Sequence, residues 1–346
     1  MTTTTETIPA AVVGVGRMGQ HHARNYAAIP GFQLVAVVDQ NPEAAKTAAE
    51  KFHCRAFSCV EELLAASLGV KAASVAVPTI FHRAAAEKLL PAGVDVLIEK
   101  PLAPSVADAQ AIVDLARLHH RILTVGHTER FNPAYRALKK YDLRPKFIEV
   151  QRISPMTFRS IDVGVVLDMM IHDLDLVNNL VRSPVVDVRA VGVAVVSGKE
   201  DIANARLTFA NGCVANLTAS RLALRTERKM RLFSPNAYLT IDYQKKAGAV
   251  ITKTANEKEL QRVRQEIKEG RITDLMQLNY PELVKYEDLQ IVDTEPVRAE
   301  LESFLQAILT RGVPEVTGED GLVAVDIAAK ISASITENHW GDVALP

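Results

Sequence analysis

The chain has 346 residues, of which 48% are hydrophobic and 23% are charged, and its formal net charge at pH 7 is −1. Such a composition is typical of a folded protein with room for two domains, and the balanced charge argues against nucleic acid or a membrane surface as the main partner. No apolar run approaches the roughly 18 residues that a membrane span needs. The polar N-terminus has no signal-like region, and the three cysteines form no C-x-x-C pair, so we expect reduced thiols and a cytoplasmic protein.

The first motif runs from Ala10 to Gly19 and reads A-A-V-V-G-V-G-R-M-G. An apolar run leads into three glycines, and a helical pattern follows, which is the context that indicates a dinucleotide-binding turn. Gly14 permits the tight turn, Gly16 lets a pyrophosphate approach the backbone, and Gly19 lets the helix pack close to the strand. The helix N-terminus then offers free N–H groups and a partial positive charge to phosphates.

A second buried strand, Phe32–Val38, ends at Asp39, which lies 20 residues after Gly19. In a dinucleotide-binding fold an acid at this place accepts hydrogen bonds from the adenosine ribose. The alternative interpretation is a turn-forming aspartate ahead of Asn41 and Pro42. Because no Arg or Lys follows before Lys46, a 2′-phosphate would meet a carboxylate alone, and the sequence predicts NAD rather than NADP.

Further along, strand-like and helical runs alternate to about residue 124, which predicts an α/β domain with a parallel sheet covered by helices on both faces. The predicted strands are Cys54–Phe57, Ala72–Val77, Asp95–Ile98 and Ile122–Val125, and the predicted helices are Pro42–Phe52, Val60–Ala66, Phe81–Leu90 and Pro104–His120. Ligands of such sheets bind beyond the carboxyl ends of the strands. We therefore expect one crevice to be lined by Asp39, Pro78–Thr79, Glu99–Lys100 and Gly126–His127.

The pattern changes after residue 147, where short strands with turns between them predict an α+β domain on a mainly antiparallel sheet. The predicted elements are strands at Phe147–Ile153, Val185–Ser197, Ala203–Phe209, Val214–Ser220, Lys229–Phe233 and Ala237–Tyr243, a hairpin turn at Asn211–Gly212, and helices at Val166–Val181, Pro296–Thr310 and Glu319–Ile335. The charged segment 256–269 is expected to be a solvated excursion, or else an arm that contacts a partner. We place the domains at 1–126 and 127–346, with C-terminal helices able to pack back on the first.

Two stretches could carry chemistry beyond the glycine loop. In I-E-K-P at 98–101, Lys100 ends a buried strand and would place a cation in the crevice, although a surface lysine explains the pattern equally well. In G-V-V-L-D-M-M-I-H-D at 164–173, Asp168 and His172 are four residues apart and share a helix face. A carboxylate there would orient the imidazole and stabilise its protonated form, which suits a general base. The alternatives are a surface ion pair or a core histidine.

These motifs in this order resemble the glucose–fructose oxidoreductase/inositol dehydrogenase (Gfo/Idh/MocA) family of NAD(P)-dependent sugar dehydrogenases. The resemblance is carried by Gly14–Gly19, P-T-I-F-H at Pro78–His82, Glu99–Pro101, G-H-T-E-R-F-N-P at Gly126–Pro133, Asp168–His172, and the E-D-G-L-V-A-V-D-I-A helix. It implies a Rossmann domain followed by a domain with a large open-faced sheet that is often used for oligomerisation. Segment 153–175 is most similar to nucleotide-sugar dehydrogenases, in particular to those that oxidise C3 of UDP-N-acetylglucosamine ahead of an aminotransferase.

The resemblance also implies roles for individual residues. Lys100 would lie at the nicotinamide and the substrate, His172 would be the acid/base, and Asp168 would hold His172. The cofactor would contact Gly14, Gly16, Arg17, Met18, Gly19, Asp39, Pro78, Thr79, His82, Glu99 and Lys100. The substrate would contact His127, Arg130, Asn132 and Arg159, with Arg152 nearby, although each of these taken singly could be structural. No metal site is expected.

The sequence therefore predicts an NAD-dependent enzyme that oxidises a secondary hydroxyl of a nucleotide sugar, with C3 of UDP-N-acetylglucosamine as the leading substrate. A free sugar or polyol such as myo-inositol is the alternative within the same class. A regulator that senses NAD without turnover is the alternative from another class, and the retention of both Lys100 and His172 argues for an enzyme. We expect a homodimer or homotetramer that associates through the open-faced sheet.

Overall fold

Two β-sheets organise the chain in the computed structural model, which describes residues 7–157, 163–255, 257–274 and 283–337. The first sheet contains β1 (Ile8–Val13), β2 (Phe32–Val38), β3 (Arg55–Phe57), β4 (Ala72–Val75), β5 (Asp95–Glu99) and β6 (Leu123–Gly126). The second contains β7 (Phe147–Ile153), β8 (Val185–Val193), β9 (Ile202–Phe209), β10 (Val214–Ser220), β11 (Glu227–Phe233), β12 (Ala237–Asp242), β13 (Ala247–Lys253) and β14 (Val284–Asp288).

The helices of the described residues connect and cover these sheets. They are α1 (Arg17–Ala28), α2 (Pro42–Phe52), α3 (Val60–Ala65), α4 (His82–Leu89), α5 (Val106–Leu118), α6 (Pro133–Arg136), α7 (Ile171–Val181), α8 (Glu257–Lys268), α9 (Pro296–Thr310) and α10 (Gly318–Glu337). None of them, within the described part of the chain, is long and apolar enough to cross a membrane.

The first sheet is parallel throughout and has the strand order β3-β2-β1-β4-β5-β6, which confirms the predicted fold of the N-terminal half. Local signals set the element boundaries. At the start of α2, the Asn41 side chain accepts hydrogen bonds from the amides of Glu43 and Ala44, and Pro42 occupies the first turn, where it loses no hydrogen bond. Because all six strands of the first sheet run parallel, their carboxyl ends meet at one edge of that sheet.

The second sheet has the order β14-β13-β12-β11-β7-β10-β9-β8, with antiparallel pairing except between β7 and β10. Its inner face packs against α7, α10 and the turn that precedes α7, which confirms a mainly antiparallel sheet with one open face. The predicted hairpin turn forms, with Gly212 at φ 80° and its amide donating to the Phe209 carbonyl. Strands β13 and β14 were not predicted, because β14 (V-K-Y-E-D) has too few apolar positions to show the alternation of a strand.

The charged segment that follows β13 forms helix α8, and most of its described side chains are exposed, as expected of a solvated excursion. The domain boundary at 126/127 stays a prediction. Helix α9 packs against α1 and the turn at 128–131, and helix α10 packs against α5. The C-terminal helices therefore contact the N-terminal half of the chain.

A buried ion pair ties the end of the first sheet to the helices of the second. Arg130 lies in the turn after β6 and donates from Nε and Nη2 to the two carboxylate oxygens of Asp175 on α7, both at 2.7 Å. Asp320 on α10 lies 3.3 Å from Nη2, and Arg130 is only 3% exposed. This guanidinium is buried and its donors face protein carboxylates, which is a structural role, and contact between Arg130 and the substrate stays a prediction.

Replacing Arg130 by Met leaves Asp175 as an uncompensated buried charge, and we expect the free energy of unfolding to fall by about 3–5 kcal/mol. Urea denaturation followed by circular dichroism measures the change. The matched control is Arg117→Met, which removes an exposed arginine paired with Asp114 and Glu319 and should cost less than about 1 kcal/mol. Equal losses in the two variants would contradict the structural role given to Arg130.

Candidate active site

The glycine loop has the geometry that a dinucleotide pyrophosphate needs. Gly14 has φ +90°, and a Cβ there would lie 2.7 Å from the carbonyl carbon of Ala76, while a Cβ on Gly19 would lie 1.8 Å from the Gly14 oxygen. The protein itself thus requires these two glycines. A Cβ on Gly16 would meet no protein atom within 4 Å, so this glycine leaves open space in front of the N-terminus of α1.

Asp39 lies at the rim of a pocket of about 520 Å³ whose lining includes Gly14, Gly16 and Pro78. Its Oδ2 accepts a hydrogen bond from the Val15 amide at 2.8 Å, and its Oδ1 accepts one from the Asn41 amide at 2.9 Å. Each carboxylate oxygen has a second lone pair with which to accept a ribose hydroxyl. These residues fit the adenosine half of NAD, and the Asp39 carboxylate would repel a 2′-phosphate.

A second pocket, of about 590 Å³, lies between the two halves of the chain, and we call it the catalytic pocket. The first half contributes Arg17, Met18, Glu99 and Lys100, and the second half contributes Asn132, Arg152, Asp168, His172 and Arg228 to its lining. The three residues predicted to be catalytic therefore reach one cavity, although 68 residues or more separate Lys100 from the other two.

Lys100 follows the last residue of β5, and its ammonium contacts the second half of the chain. Its Nζ donates to the Asp168 carbonyl oxygen at 2.8 Å and lies 3.6 Å from the Asp168 carboxylate. Burial lowers the pKa of Lys100 from its ordinary value, and the negative charges of Asp168 and Glu99 oppose that shift. Such a lysine can donate a hydrogen bond to a substrate oxygen at the pocket wall.

Glu99 supports the backbone of Lys100 from behind the catalytic pocket. Its Oε2 accepts from the Lys100 amide at 3.2 Å, and its Oε1 lies 2.8 Å from Nε2 of buried His22. Ser74 contacts Nδ1 of His22 at 3.1 Å and continues the chain of hydrogen bonds into the first sheet. Burial and the negative charge of Glu99 raise the pKa of neighbouring Glu300 well above its ordinary value.

The predicted contact between Asp168 and His172 does not form. Residues Val166–Met170 make one wide π-helical turn before α7, and the Asp168 carboxylate faces Lys100. Nδ1 of His172 is buried and has no hydrogen-bond partner among the described residues. Burial lowers the pKa of His172 well below its ordinary value, and the charges of Lys100 and Arg152 add to the shift. The expectation that a carboxylate stabilises the protonated imidazole is wrong, since cations surround a neutral ring.

Arg152 and Asn132 line the catalytic pocket with their polar atoms largely engaged by the protein. Arg152 donates to both carboxylate oxygens of Asp173 at 2.8 Å and to Glu129 at 3.0 Å. Asn132 donates to Glu129 at 3.1 Å and accepts from the amide of Ala134. Contact of either with substrate stays a prediction.

Two predicted ligand-binding histidines lie outside both pockets. His82 is 1% exposed, and its ring nitrogens lie 3.0–3.2 Å from the carbonyl oxygens of Val77, Pro101 and Leu102, so the ring joins two loops and does not face the cofactor. His127 is also 1% exposed, because the chain turns inward directly after β6, and neither ring nitrogen has a partner among the described residues. Neither ring lines one of the two pockets, and ligand contact by His82 or His127 stays a prediction.

The remaining predicted site residues have mixed outcomes. Thr79 begins the short helical turn before α4 and is not among the residues that line either pocket. Arg159 lies outside the described residues. Sequence reasoning missed Arg228, Arg221, Glu129, Thr128 and Met169, all of which line the catalytic pocket. One signal for Arg228 was available, because the period-two pattern of buried Met230 and Leu232 places residue 228 on the same face of the strand.

Comparison with protein families now identifies the chain. Residues 8–127 match the oxidoreductase family with an NAD-binding Rossmann fold, Gfo/Idh/MocA, and residues 149–239 match the Gfo/Idh/MocA C-terminal domain. The chain belongs to the Gfo/Idh/MocA oxidoreductase family. It is an NAD-binding oxidoreductase, in agreement with the geometry of the glycine loop.

The relatives that this chain is similar to include enzymes named for a nucleotide-sugar substrate and enzymes named for inositol. A UDP-N-acetylglucosamine 3-dehydrogenase from Acidithiobacillus ferrooxidans is 44% identical over 67% of this chain and 73% of its own length. A solved structure of a UDP-N-acetylglucosamine 3-dehydrogenase from that organism superposes with a TM-score of 0.83 at 34% identity, covering 96% of this chain and 99% of that one. An inositol 2-dehydrogenase from Rhizobium meliloti is 26% identical over 98% of this chain and 100% of its own length.

Two glycine substitutions should separate packing from cofactor binding. Gly19→Ala places a methyl group against the Gly14 carbonyl, and we expect the free energy of unfolding to fall by at least about 2 kcal/mol. Gly16→Ala meets no protein atom, so stability should change by less than about 0.5 kcal/mol, while the NAD dissociation constant rises at least about tenfold because the methyl group occupies the pyrophosphate approach. Urea denaturation and fluorescence titration with NAD measure these two quantities, and unchanged NAD binding in Gly16→Ala would contradict this placement of the pyrophosphate.

Asp168→Asn tests whether the Asp168 carboxylate stabilises the charge of Lys100 or that of His172. Removing this negative charge lowers the pKa of Lys100 further, so the alkaline limb of the kcat–pH profile should move to lower pH. The acid limb should stay in place, because the His172 pKa is set by burial and by cations. Steady-state rates between pH 5 and pH 10 give both limbs, and a shift confined to the acid limb would restore the pairing of Asp168 with His172.

Proposed function

We propose that the protein oxidises a secondary hydroxyl of a nucleotide sugar to a ketone, and that the substrate is UDP-N-acetylglucosamine oxidised at C3. The observation that carries the proposal is the convergence of Lys100 and His172 on one pocket, next to the glycine loop of an NAD-binding fold. The 44% identity to a UDP-N-acetylglucosamine 3-dehydrogenase supports the choice of substrate.

In the proposed reaction, His172 is the general base and Lys100 stabilises the substrate oxygen. The lowered pKa of His172 keeps its ring neutral at physiological pH, and Nε2 takes the hydroxyl proton because Nδ1 is buried. Lys100 donates a hydrogen bond to the same oxygen, where negative charge develops as the proton leaves. Bound NAD supplies the chemistry of hydride acceptance from the carbinol carbon.

Asp168 is a positioning residue in this scheme. Its carbonyl oxygen and its carboxylate hold the Lys100 ammonium at the pocket wall, and its charge favours the protonated amine. Asp168 therefore opposes the loss of the Lys100 proton that burial favours.

Oxidation of a free polyol such as myo-inositol is the second candidate, and an inositol 2-dehydrogenase aligned over the whole chain supports it. The cations Arg17 and Arg228 in the pocket lining favour a substrate that carries phosphate. An NAD-sensing regulator would need neither Lys100 nor His172, so their shared pocket favours an enzyme.

We further propose a homodimer or homotetramer formed through the open face of the second sheet. Phe147, Phe233 and Tyr238 form an aromatic cluster on that face, with ring centroids 5.5 and 4.8 Å apart. Ile202, at 37% exposure, adds apolar surface on β9. Aromatic residues are enriched where protein surfaces associate, which supports this face as the contact between copies.

We propose the cytoplasm as the location of the enzyme. Cys54, Cys59 and Cys213 are all described residues, and none of them forms a disulfide. Free thiols persist in reducing compartments, which is consistent with a cytoplasmic enzyme.

Turnover of defined substrates tests the proposal. NADH absorbance should appear with NAD and UDP-N-acetylglucosamine, and not with myo-inositol. His172→Ala and Lys100→Met should each reduce kcat at least about a hundredfold and leave the NAD dissociation constant unchanged, because these residues act on the substrate hydroxyl. Lys71→Met removes an exposed lysine that precedes the amino end of β4, whereas Lys100 follows the carboxyl end of the parallel strand β5; it serves as the control and should keep wild-type turnover.

Near-normal kcat in both active-site variants would reject the assigned roles. Oxidation of myo-inositol alone would select the second candidate, and tight NAD binding without turnover of any UDP-sugar or polyol would favour the regulator.

A further inference from the structure

Arg228 reaches the catalytic pocket from the second sheet. Met230 and Leu232, at alternate positions of β11, are 1% exposed and face the core, so Arg228 lies on the same inner face of the strand. Unlike those two residues, Arg228 has a side chain that is 46% exposed, and it lines the catalytic pocket.

Arg228 has little compensation for its charge within the protein. The pairing of β11 with β7 places it directly opposite Arg152, and like charges at such positions repel. Arg152 has two contacts to Asp173 at 2.8 Å and one to Glu129 at 3.0 Å, whereas Arg228 has a single contact to the same Glu129 oxygen at 3.4 Å. Burial and the charge of Arg152 lower the pKa of Arg228 from its ordinary value, and the charges of Glu129 and Asp173 offset this shift only in part.

A second arginine approaches from the other half of the chain. Arg17 begins α1 and is exposed, and its side chain lines the catalytic pocket rather than the pocket beside Asp39. It makes no side-chain hydrogen bond or ion pair with any of the described residues. Arg17 and Arg228 line the same pocket, and the positive charge of Arg17 is among the causes that lower the pKa of Arg228.

The other cations of the pocket lining are paired with carboxylates. Lys100 contacts Asp168, and Arg221 lies 3.3 Å from buried Asp201. Glu99, which also lines the pocket, is bound to His22 behind the wall. An anionic ligand group between Arg17 and Arg228 would therefore meet two guanidinium groups and compete with Glu129 alone.

We propose that Arg228, together with Arg17 across the cleft, binds the diphosphate of a nucleoside diphosphate sugar and selects such substrates over neutral polyols. The inference rests on the proposed function and adds the residues that recognise the substrate class. Guanidinium groups match phosphate oxygens with paired hydrogen bonds, and Arg228 has donors beyond the one that faces Glu129. The group is assigned to the substrate because Arg228 shares its pocket with Lys100 and His172, while Asp39 and Gly16 line the other one.

Titration of UDP into the full-length, NAD-saturated protein tests this site without requiring turnover. Arg228→Gln should raise the UDP dissociation constant at least about tenfold, and Arg228→Lys should give an intermediate value because it keeps the charge and loses the paired hydrogen bonds. Lys229→Gln is the matched control, since it removes one positive charge from the next residue, on the outer face of the same strand, and should change UDP binding less than about twofold. The NAD dissociation constant should stay unchanged in Arg228→Gln.

Steady-state kinetics with UDP-N-acetylglucosamine supply a second readout, in which Arg228→Gln should raise KM by a similar factor while kcat changes less than about threefold. If circular dichroism shows that Arg228→Gln is unfolded, Arg17→Gln provides a second test, with the NAD dissociation constant measured first because Arg17 also lies at the helix N-terminus that the NAD pyrophosphate approaches. Absence of UDP binding to the wild type, or equal UDP binding in wild type and folded variants, would overturn the inference. Turnover tests the proposed function separately. If the wild type oxidises UDP-N-acetylglucosamine and the variants bind UDP as the wild type does, the proposed function stands and the Arg228 site is rejected. If the variants lose UDP binding but the wild type oxidises no nucleotide sugar, the Arg228 site stands and the proposed function is rejected.

Discussion

The contact between the Lys100 ammonium and Asp168 is the interaction on which the catalytic pocket depends. Lys100 directly follows strand β5 of the first sheet, and Asp168 lies in the wide turn that leads into a helix of the second half. Their hydrogen bond of 2.8 Å therefore sets the spacing between the two halves at the point where the pocket opens. A partly buried ammonium without such an acceptor would pay a desolvation penalty, so the contact stabilises both the charge and the relative position of the two walls.

Helix α7 carries three polar side chains that extend this arrangement. His172 lines the pocket, Asp173 binds Arg152 with two hydrogen bonds of 2.8 Å, and Asp175 binds Arg130 with two of 2.7 Å. The two buried ion pairs join α7 to β7 and to the turn after the first sheet. Because a buried charge left without its partner is strongly destabilising, these pairs restrict where the helix can lie and so restrict the imidazole.

The electrostatics of the pocket depend on which carboxylate compensates the charge of which cation. Asp168 compensates Lys100, and Asp173 with Glu129 compensates Arg152, which leaves His172 among positive charges with no carboxylate of its own. A histidine in that setting is neutral at physiological pH and can accept a proton. The same distribution leaves Arg228 and Arg17 short of negative charge, which a phosphorylated ligand would supply.

The resemblance to the Gfo/Idh/MocA family predicted that Lys100 and His172 would share a pocket, whereas the sequence by itself determined the two fold classes, the glycine loop and most element boundaries. These features depend on local patterns: the period of apolar residues, the caps of helices, and the placement of glycines and strand-end polar residues along one sheet edge. Only the tertiary structure decided that Asp168 faces Lys100, that Arg130 and His82 are buried with protein partners, and that Arg228 lines the pocket. Each of these depends on the partner that a side chain meets from a distant segment, and because many cations and carboxylates of the chain could pair, spacing along the sequence does not select among them.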